Sequence, residues 1–130
     1  MRVLIVDDEP GVRELLAAAL EAVGCDQIDL AEDGEHALGL TMEHRYDFVT
    51  LDIRMPGLSG LETLPMIRHA MPRAVIAIVS AYTADTLDID VSDADVIIGK
   101  PFELNIVMTL AQLAQELFDI QQSIHALSGE

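Results

Sequence analysis

The sequence has no apolar run long enough to span a membrane, and its start lacks the long apolar core of a signal peptide. Both absences lead to the expectation of a cytoplasmic protein with no membrane contact. There is one cysteine, Cys25, so no internal disulfide can form, and a reducing compartment fits. Cys25 reads as a packing residue rather than a redox one. Basic residues are scarce: seven Lys and Arg stand against 23 Asp and Glu, a formal net charge of −16. Such a surface repels phosphate backbones, which argues against direct binding to DNA or RNA. It favours a cationic partner or a divalent ion. No internal repeat, low-complexity tract or second-domain linker is visible. What remains is 130 residues, 51% of them hydrophobic, enough for one globular domain with a substantial core.

Apolar runs of strand length alternate with helical patterns along the chain. Strands are predicted at Val3–Val6, Gln27–Ala31, Phe48–Leu51, Ala74–Val79 and Val96–Ile98. Gln27–Ala31 alternates polar and apolar, as an edge strand would. The first helix starts near Pro10 and runs to about Val23, with Val12, Leu15, Leu16, Ala19 and Leu20 on one stripe and Gly24 as its stop. A second helix spans roughly Glu35–Glu43. A third follows Ser59, with Glu62 completing a capping box and Pro65 kinking it or delaying its regular start. The last begins near Glu103. Strand and helix in alternation imply an α/β fold, a five-stranded parallel sheet doubly wound with helices on both faces.

The chemistry sits at the strand ends. Asp7 and Asp8 close the first strand, Asp52 the third, Ser80 the fourth, and Lys100 the fifth after Gly99. Open α/β sheets place ligands at the carboxyl ends of their strands. A lone acid there often only caps a loop, and a lone Ser is more often a turn former. Four strand ends bringing carboxylates, a hydroxyl and an ammonium together are a different matter.

Those residues, with Glu9 and Pro10, the run Leu-Asp-Ile-Arg-Met-Pro-Gly-Leu-Ser-Gly-Leu-Glu at 51–62, Ala81, Pro101 and Phe102, resemble the receiver domain of bacterial response regulators. The resemblance covers about residues 2 to 118. It implies a flavodoxin-like strand order 2-1-3-4-5, a receiver domain over 1–118, and 119–130 as an extension of the last helix. It also implies that Asp52 takes a phosphoryl group from the phosphohistidine of a sensor histidine kinase or phosphotransfer protein. Asp8 would ligate Mg²⁺ (or Mn²⁺) directly, Asp7 through water, Asp52 directly and Arg54 through its backbone carbonyl. Lys100 and Ser80 would contact the phosphoryl oxygens, and a cis Lys100–Pro101 peptide is implied too. Arg54 and Tyr82 would border the phosphoryl group. Phosphoryl transfer needs a nucleophile, charge neutralisation and fixed donors, and this set supplies the residues for each. Close together, the three acids Asp7, Asp8 and Asp52 should repel one another and hold protons more tightly, as a coupled set, without metal.

The chain departs from the family's pattern in two places. Ile97 stands where receivers commonly carry a Tyr or Phe that swings on activation, and Tyr82 on the adjoining loop is a candidate to replace that ring. The stretch from Ala84 to Asp95 is rich in Asp and β-branched residues, a poor helix former expected to order on phosphorylation.

Three functions compete on sequence alone. One is a stand-alone phosphoacceptor that signals to an unknown downstream protein by contact. Another is a receiver cut from a longer regulator or hybrid kinase. A third is a Mg²⁺-dependent phosphohydrolase, disfavoured because Arg54 occupies the place of the usual second acid. In none of them does the chain catalyse more than its own phosphorylation and slow dephosphorylation, except the last. The histidines His36, His44, His69 and His125 share no metal-binding spacing and read as solvated surface residues.

The last helix carries two apolar stripes. Leu104, Val107, Met108, Ala111, Ala114 and Phe118 should face the sheet, and Asn105, Gln112, Glu116, Asp119 and Ser123 form a polar arc. Ile106, Leu110, Leu113, Leu117, Ile120, Ile124 and Leu127 recur at alternating steps of four and three, the rhythm of a coiled-coil seam. Part of this row should pack on the first helix. Ile120, Ile124 and Leu127 should project past the sheet and form a homodimer or dock a partner helix.

Overall fold

The computed structural model describes residues 1–55, 57, 59–81 and 91–129. In chain order its elements are β1 (Arg2–Val6), α1 (Pro10–Ala22), β2 (Gln27–Ala31), α2 (Gly34–Glu43), β3 (Phe48–Leu51), α3 (Gly60–Ala70), β4 (Val75–Ala81), β5 (Val96–Lys100) and α4 (Leu104–Ala126). The five strands form one parallel sheet in the order β2-β1-β3-β4-β5. The expected architecture and strand order are those observed.

Alternate residues of each strand point to opposite faces, so the sheet has two cores. On one face Val3, Ile5, Phe48, Ala77 and Val79 meet Leu16 and Leu20 of α1 and Val107 and Ala111 of α4. On the other, Leu4, Val6, Val49, Leu51, Ile76 and Ile78 meet Ala37 of α2 and Leu64 and Ile67 of α3. Each fully buried Leu, Ile or Phe is worth about 1.5–3 kcal/mol of transfer free energy, so these two layers dominate the favourable side of folding. Cys25 is buried in the first of them, and burial pushes its thiol up from its ordinary value.

Local signals set the helix ends. Pro10 occupies the first turn of α1, and Gly24, at φ 97°, takes the left-handed conformation that ends it. The Asp33 side chain caps α2 by accepting from the His36 N–H at 2.7 Å. Ser59 caps α3 by accepting from the Glu62 N–H, while its hydroxyl donates to the Glu62 carboxylate.

Several expectations need correction. β4 and β5 run on through Ala81 and Lys100, so Ser80 and Lys100 lie within strands rather than just past them; the β4–β5 ladder continues to the Ala81–Lys100 pair. α3 is regular from Gly60, so Pro65 does not delay its start. Leu15 and Leu104 are exposed, and the cores use Leu16 and Val107 in their place.

The second stripe of α4 lies largely in the open. Leu110 is half-buried, whereas Ile106, Leu113, Leu117, Ile120, Ile124 and Leu127 are exposed. Ile106 and Leu113 are therefore less covered than packing on α1 would make them. The end of α4 does not simply project past the sheet. Its other side, from Phe118 to His125, lines a cleft with the segments that lead into β3 and β4, and the Arg73 Nη1 donates to the His125 Nε2 at 3.0 Å.

Arg68, near the end of α3, holds the approach to β5. Its guanidinium donates to the carbonyls of Ala74 and Asp93, each at 2.8 Å, and to the Asp95 carboxylate at 2.9 Å. The same Asp95 oxygen accepts the Ile76 N–H at 2.8 Å. Of the stretch expected to be loose, Val91 to Asp95 is thus tied to β4, and the rest lies outside the described residues.

Candidate functional site

The site is built at the carboxyl end of the sheet. Asp7 follows β1, and its N–H donates to the Ala31 carbonyl at 3.1 Å, which carries the β1–β2 pairing one step further. The Asp7 Oδ1 accepts the Glu9 N–H at 3.0 Å. The Arg13 Nη1, one turn into α1, donates to the Asp7 carbonyl oxygen at 2.6 Å. Asp52 follows β3, and its N–H donates to the Val6 carbonyl at 2.9 Å. Its Oδ1 accepts the Arg54 N–H at 3.2 Å. The Ser80 side chain lies close enough to favour the ionised form of Asp52. Asp7, Asp52 and Ser80 are almost fully buried, at 1%, 4% and 3% exposure, whereas Asp8 is half-buried.

Lys100 enters from the sheet edge. Its Nζ lies 2.9 Å from the Asp7 Oδ2, 3.4 Å from the Asp52 Oδ2 and 3.9 Å from a Glu9 carboxylate oxygen. Burial alone would pull this amine's pKa down. The hydrogen bond that Lys100 donates to Asp7 and the charges of Asp52, Asp7 and Glu9 outweigh that, and the pKa is raised. Asp52 is also pushed above the ordinary carboxylate range. Burial is the main cause and the Asp7 charge the next, against the opposing pull of Lys100, the Arg54 N–H and Ser80. Added positive charge would therefore favour the ionised form of the nucleophile candidate.

Asp7, Asp8 and Asp52 each offer a carboxylate oxygen, all within 4.8 Å of one another. Hard oxygen donors grouped in this way, half open on the Asp8 side, suit Mg²⁺, which takes a few carboxylates and keeps several waters.

Gly60 fixes the loop behind Asp52. A Cβ built there would fall 2.0 Å from the Asp52 carbonyl oxygen and 2.7 Å from the Ile53 Cα. The Gly60 N–H donates to the Ile53 carbonyl at 3.0 Å, so the first residue of α3 sits directly against the backbone that carries Asp52.

The structure brings Asp7, Asp8, Asp52, Ser80 and Lys100 into one cluster, and the Lys100–Pro101 peptide is cis. Arg54 contributes a backbone N–H at the site. Ile97 lies in β5 opposite Ile78 and is partly buried against the α2–α3 side of the core. Tyr82 lies outside the described residues. Sequence reasoning passed over Arg13 and Gly60. Arg13 gave no signal, being one cation on an exposed helix turn. Gly60 follows a helix-capping Ser59, where a small residue reads as ordinary helix start.

The family profile for the response regulator receiver domain matches residues 3–112. Among curated proteins, the chain is 36% identical over 107 residues to the response regulator MprA of Mycobacterium sp. (strain KMS), covering 80% of this chain and 46% of that protein. It is 29% identical over 131 residues to a protein-glutamate methylesterase/protein-glutamine glutaminase of Haloarcula marismortui, covering 98% of this chain and 35% of that one. The chain thus spans about a third to a half of the length of these relatives. Among solved structures, the response regulator TrrA of Thermotoga maritima, in complex with Mg(2+)-BeF, superposes with a TM-score of 0.78 at 40% identity, covering 87% of this chain and 97% of that one. With the fold, the acidic cluster and the profile match in agreement, this chain belongs to the response regulator receiver domain family.

Proposed function

We propose that Asp52 accepts a phosphoryl group from the phosphohistidine of a sensor histidine kinase or phosphotransfer protein. A carboxylate oxygen of Asp52 attacks phosphorus, the P–N bond to the donor imidazole breaks, and its electron pair returns to the ring nitrogen. The observation that carries this reading is the placement of Asp52 among Lys100, Ser80 and the Arg54 N–H, with Asp7 and Asp8 beside it. Asp8 and Asp52 would hold Mg²⁺ (or Mn²⁺) directly, Asp7 through water, and the Arg54 carbonyl would complete the protein ligands. When bound, the ion supplies positive charge against the acids and the incoming phosphoryl oxygens. Lys100 and Ser80 donate to the oxygens the ion leaves free, and Arg54 flanks the group.

The test is intact mass after incubation with acetyl phosphate and Mg²⁺. One base-labile phosphoryl group should be gained, and Asp52→Asn should gain none. Undiminished labelling of that variant would sink the assignment.

Output by protein contact fits the same reading. Arg54 stands where a phosphohydrolase would need a second acid, so the chain's chemistry is confined to its own phosphorylation and dephosphorylation. Among the described residues no helix is long and apolar enough to cross a membrane. With a net charge of −16, the working reading is a cytoplasmic domain that touches neither membrane nor nucleic acid.

The exposed row on α4 supports a homodimer. Ile106, Leu113, Leu117, Ile120 and Ile124 are 41–58% exposed and Leu127 is 88% exposed, with Leu110 half-buried among them. A row of this rhythm needs a partner helix with the same rhythm, which a second copy supplies. A chain this acidic repels itself over most of its surface. The positions flanking the row, Thr109, Glu116, Gln121 and Ser123, bring one acid between them. Residues 119–130 then serve as the part of the dimer arm that extends beyond the receiver proper, 1–118.

A further inference from the structure

The geometry points to a second ligand site, at the opposite end of the sheet from Asp52, which binds a small organic phosphate through Arg45 and Arg73. The cleft there measures about 390 Å³ and lies between the segments leading into β3 and β4 and the last turns of α4. That is the size of a small-molecule pocket.

The chain's few cations are unevenly placed. Against 23 acids it carries seven Lys and Arg. Arg2, Arg68 and Lys100 are each paired with a carboxylate, and Arg13 is spent on the Asp7 carbonyl. Among the described residues Arg45 has no ion-pair or hydrogen-bond partner, and the only one of Arg73 is the His125 ring. Both line this one cleft. In so acidic a protein, two guanidinium groups left without an acid at the same place form a local reversal of charge. Asp47 is the one carboxylate in the lining; one of its oxygens accepts the Arg2 backbone N–H at 2.9 Å, and the two guanidinium groups outnumber it.

The remaining walls indicate what else the ligand carries. Met71 and Phe118 give apolar surface, and Gln121 and Gln122 bring amides able to donate and accept. Arginine is the side chain best suited to grip a phosphate with two parallel N–H bonds. A phosphate on a flat, polar-edged body of nucleoside size uses every wall: the arginines for the anion, the apolar side chains for the ring faces, the glutamines for ring or sugar edges. None of the exposed apolar row on α4 lines the cleft, so the dimer proposed above leaves it accessible.

The experiment is calorimetric titration of the whole chain, with EDTA present so that the acidic site holds no metal. The probes are adenosine monophosphate, inorganic phosphate and adenosine. The monophosphate should bind saturably and more tightly than phosphate, and adenosine should not bind. Arg45→Gln with Arg73→Gln should weaken the monophosphate about tenfold or more, the scale of losing charge-assisted bonds. The same variant should still take a phosphoryl group on Asp52, which shows that it is folded. The site is refuted if neither phosphate probe binds at roughly millimolar concentration, or if the double variant binds as well as the wild type. Equal affinity for phosphate and monophosphate would reduce it to a bare anion contact and remove the organic ligand. Binding of polyglutamate in place of either would make it a surface for an acidic protein, against the proposal.

Discussion

The Lys100 ammonium reaches across two strands to the Asp7 carboxylate, 2.9 Å away and 93 residues earlier in the chain. It leans toward Asp7 rather than Asp52, which is 3.4 Å away. Lys100→Ala leaves those carboxylates crowded and buried. The metal-free protein should lose about 2 kcal/mol of stability at neutral pH. Urea unfolding with and without Mg²⁺ checks this, and the ion should restore more stability to the variant than to the wild type. Because the Lys100 pKa is raised on folding, its contribution is complete below the unfolded lysine value. It is lost as pH rises through the folded one. Alkaline titration should therefore narrow the gap between the two proteins.

Asp52→Asn should stabilise the metal-free protein by roughly 1 kcal/mol at neutral pH, since it removes a charge from a buried, crowded place. The Asp52 pKa is raised on folding, so its ionised form opposes folding above the folded value. That opposition fades as pH falls through the folded value toward the ordinary carboxylate range. Unfolding midpoints of the two proteins in EDTA should converge in mild acid. A constant difference across that range would show that the charge is not the cause.

Gly60→Ala should disturb the site without touching its chemistry. The added carbon has no room beside the Asp52 carbonyl, so backbone must move, at a cost of about 1–3 kcal/mol. Phosphorylation by acetyl phosphate should slow as well. Ser59→Ala is the control: loss of the cap costs about 1 kcal/mol and should leave the labelling rate nearly unchanged.

Arg68→Ala should destabilise the protein by about 2 kcal/mol, more than an ordinary surface change, because it strands the Ala74 carbonyl and removes one of the two partners of the Asp95 carboxylate. Hydrogen exchange should locate the effect at Ile76 and Asp95, whose amides both belong to the tie between β4 and the approach to β5.

Leu117→Asp with Ile124→Asp should keep α4 from pairing with a second copy, since charges would be buried in the seam. Sedimentation at high micromolar concentration, with and without phosphorylation, decides it. A wild type that stays monomeric in both states would remove the homodimer and leave only a foreign helix as occupant of the row.

The sequence made the sheet legible because each strand is a short apolar run with a clear stop, and the strand-end residues followed from those stops. Ends were less clear. Ser80 and Lys100 extend their strands because β4 and β5 pair past the apolar run, a property of the ladder rather than of the residues themselves. Leu15 looked like core by spacing, yet the stripe on α1 is narrow and Leu16 takes the buried place. Gly60 was illegible in principle. Its role depends on how closely α3 approaches the turn after β3, and no local pattern records an approach between segments. The cleft at the other end of the sheet was hidden for the same reason: Arg45, Arg73 and Gln121 lie on three separate segments that only the folded chain unites.

The pairing of Lys100 with Asp7 also has a consequence for biosynthesis. The acids are made earlier, just after the first and third strands, and the ammonium that offsets them comes on the last strand, at the sheet edge. A growing chain therefore carries a partly formed and self-repelling set of carboxylates for most of its translation. On the phosphoacceptor reading proposed above, the set of donors around Asp52 is complete only once β5 has taken its place at the sheet edge.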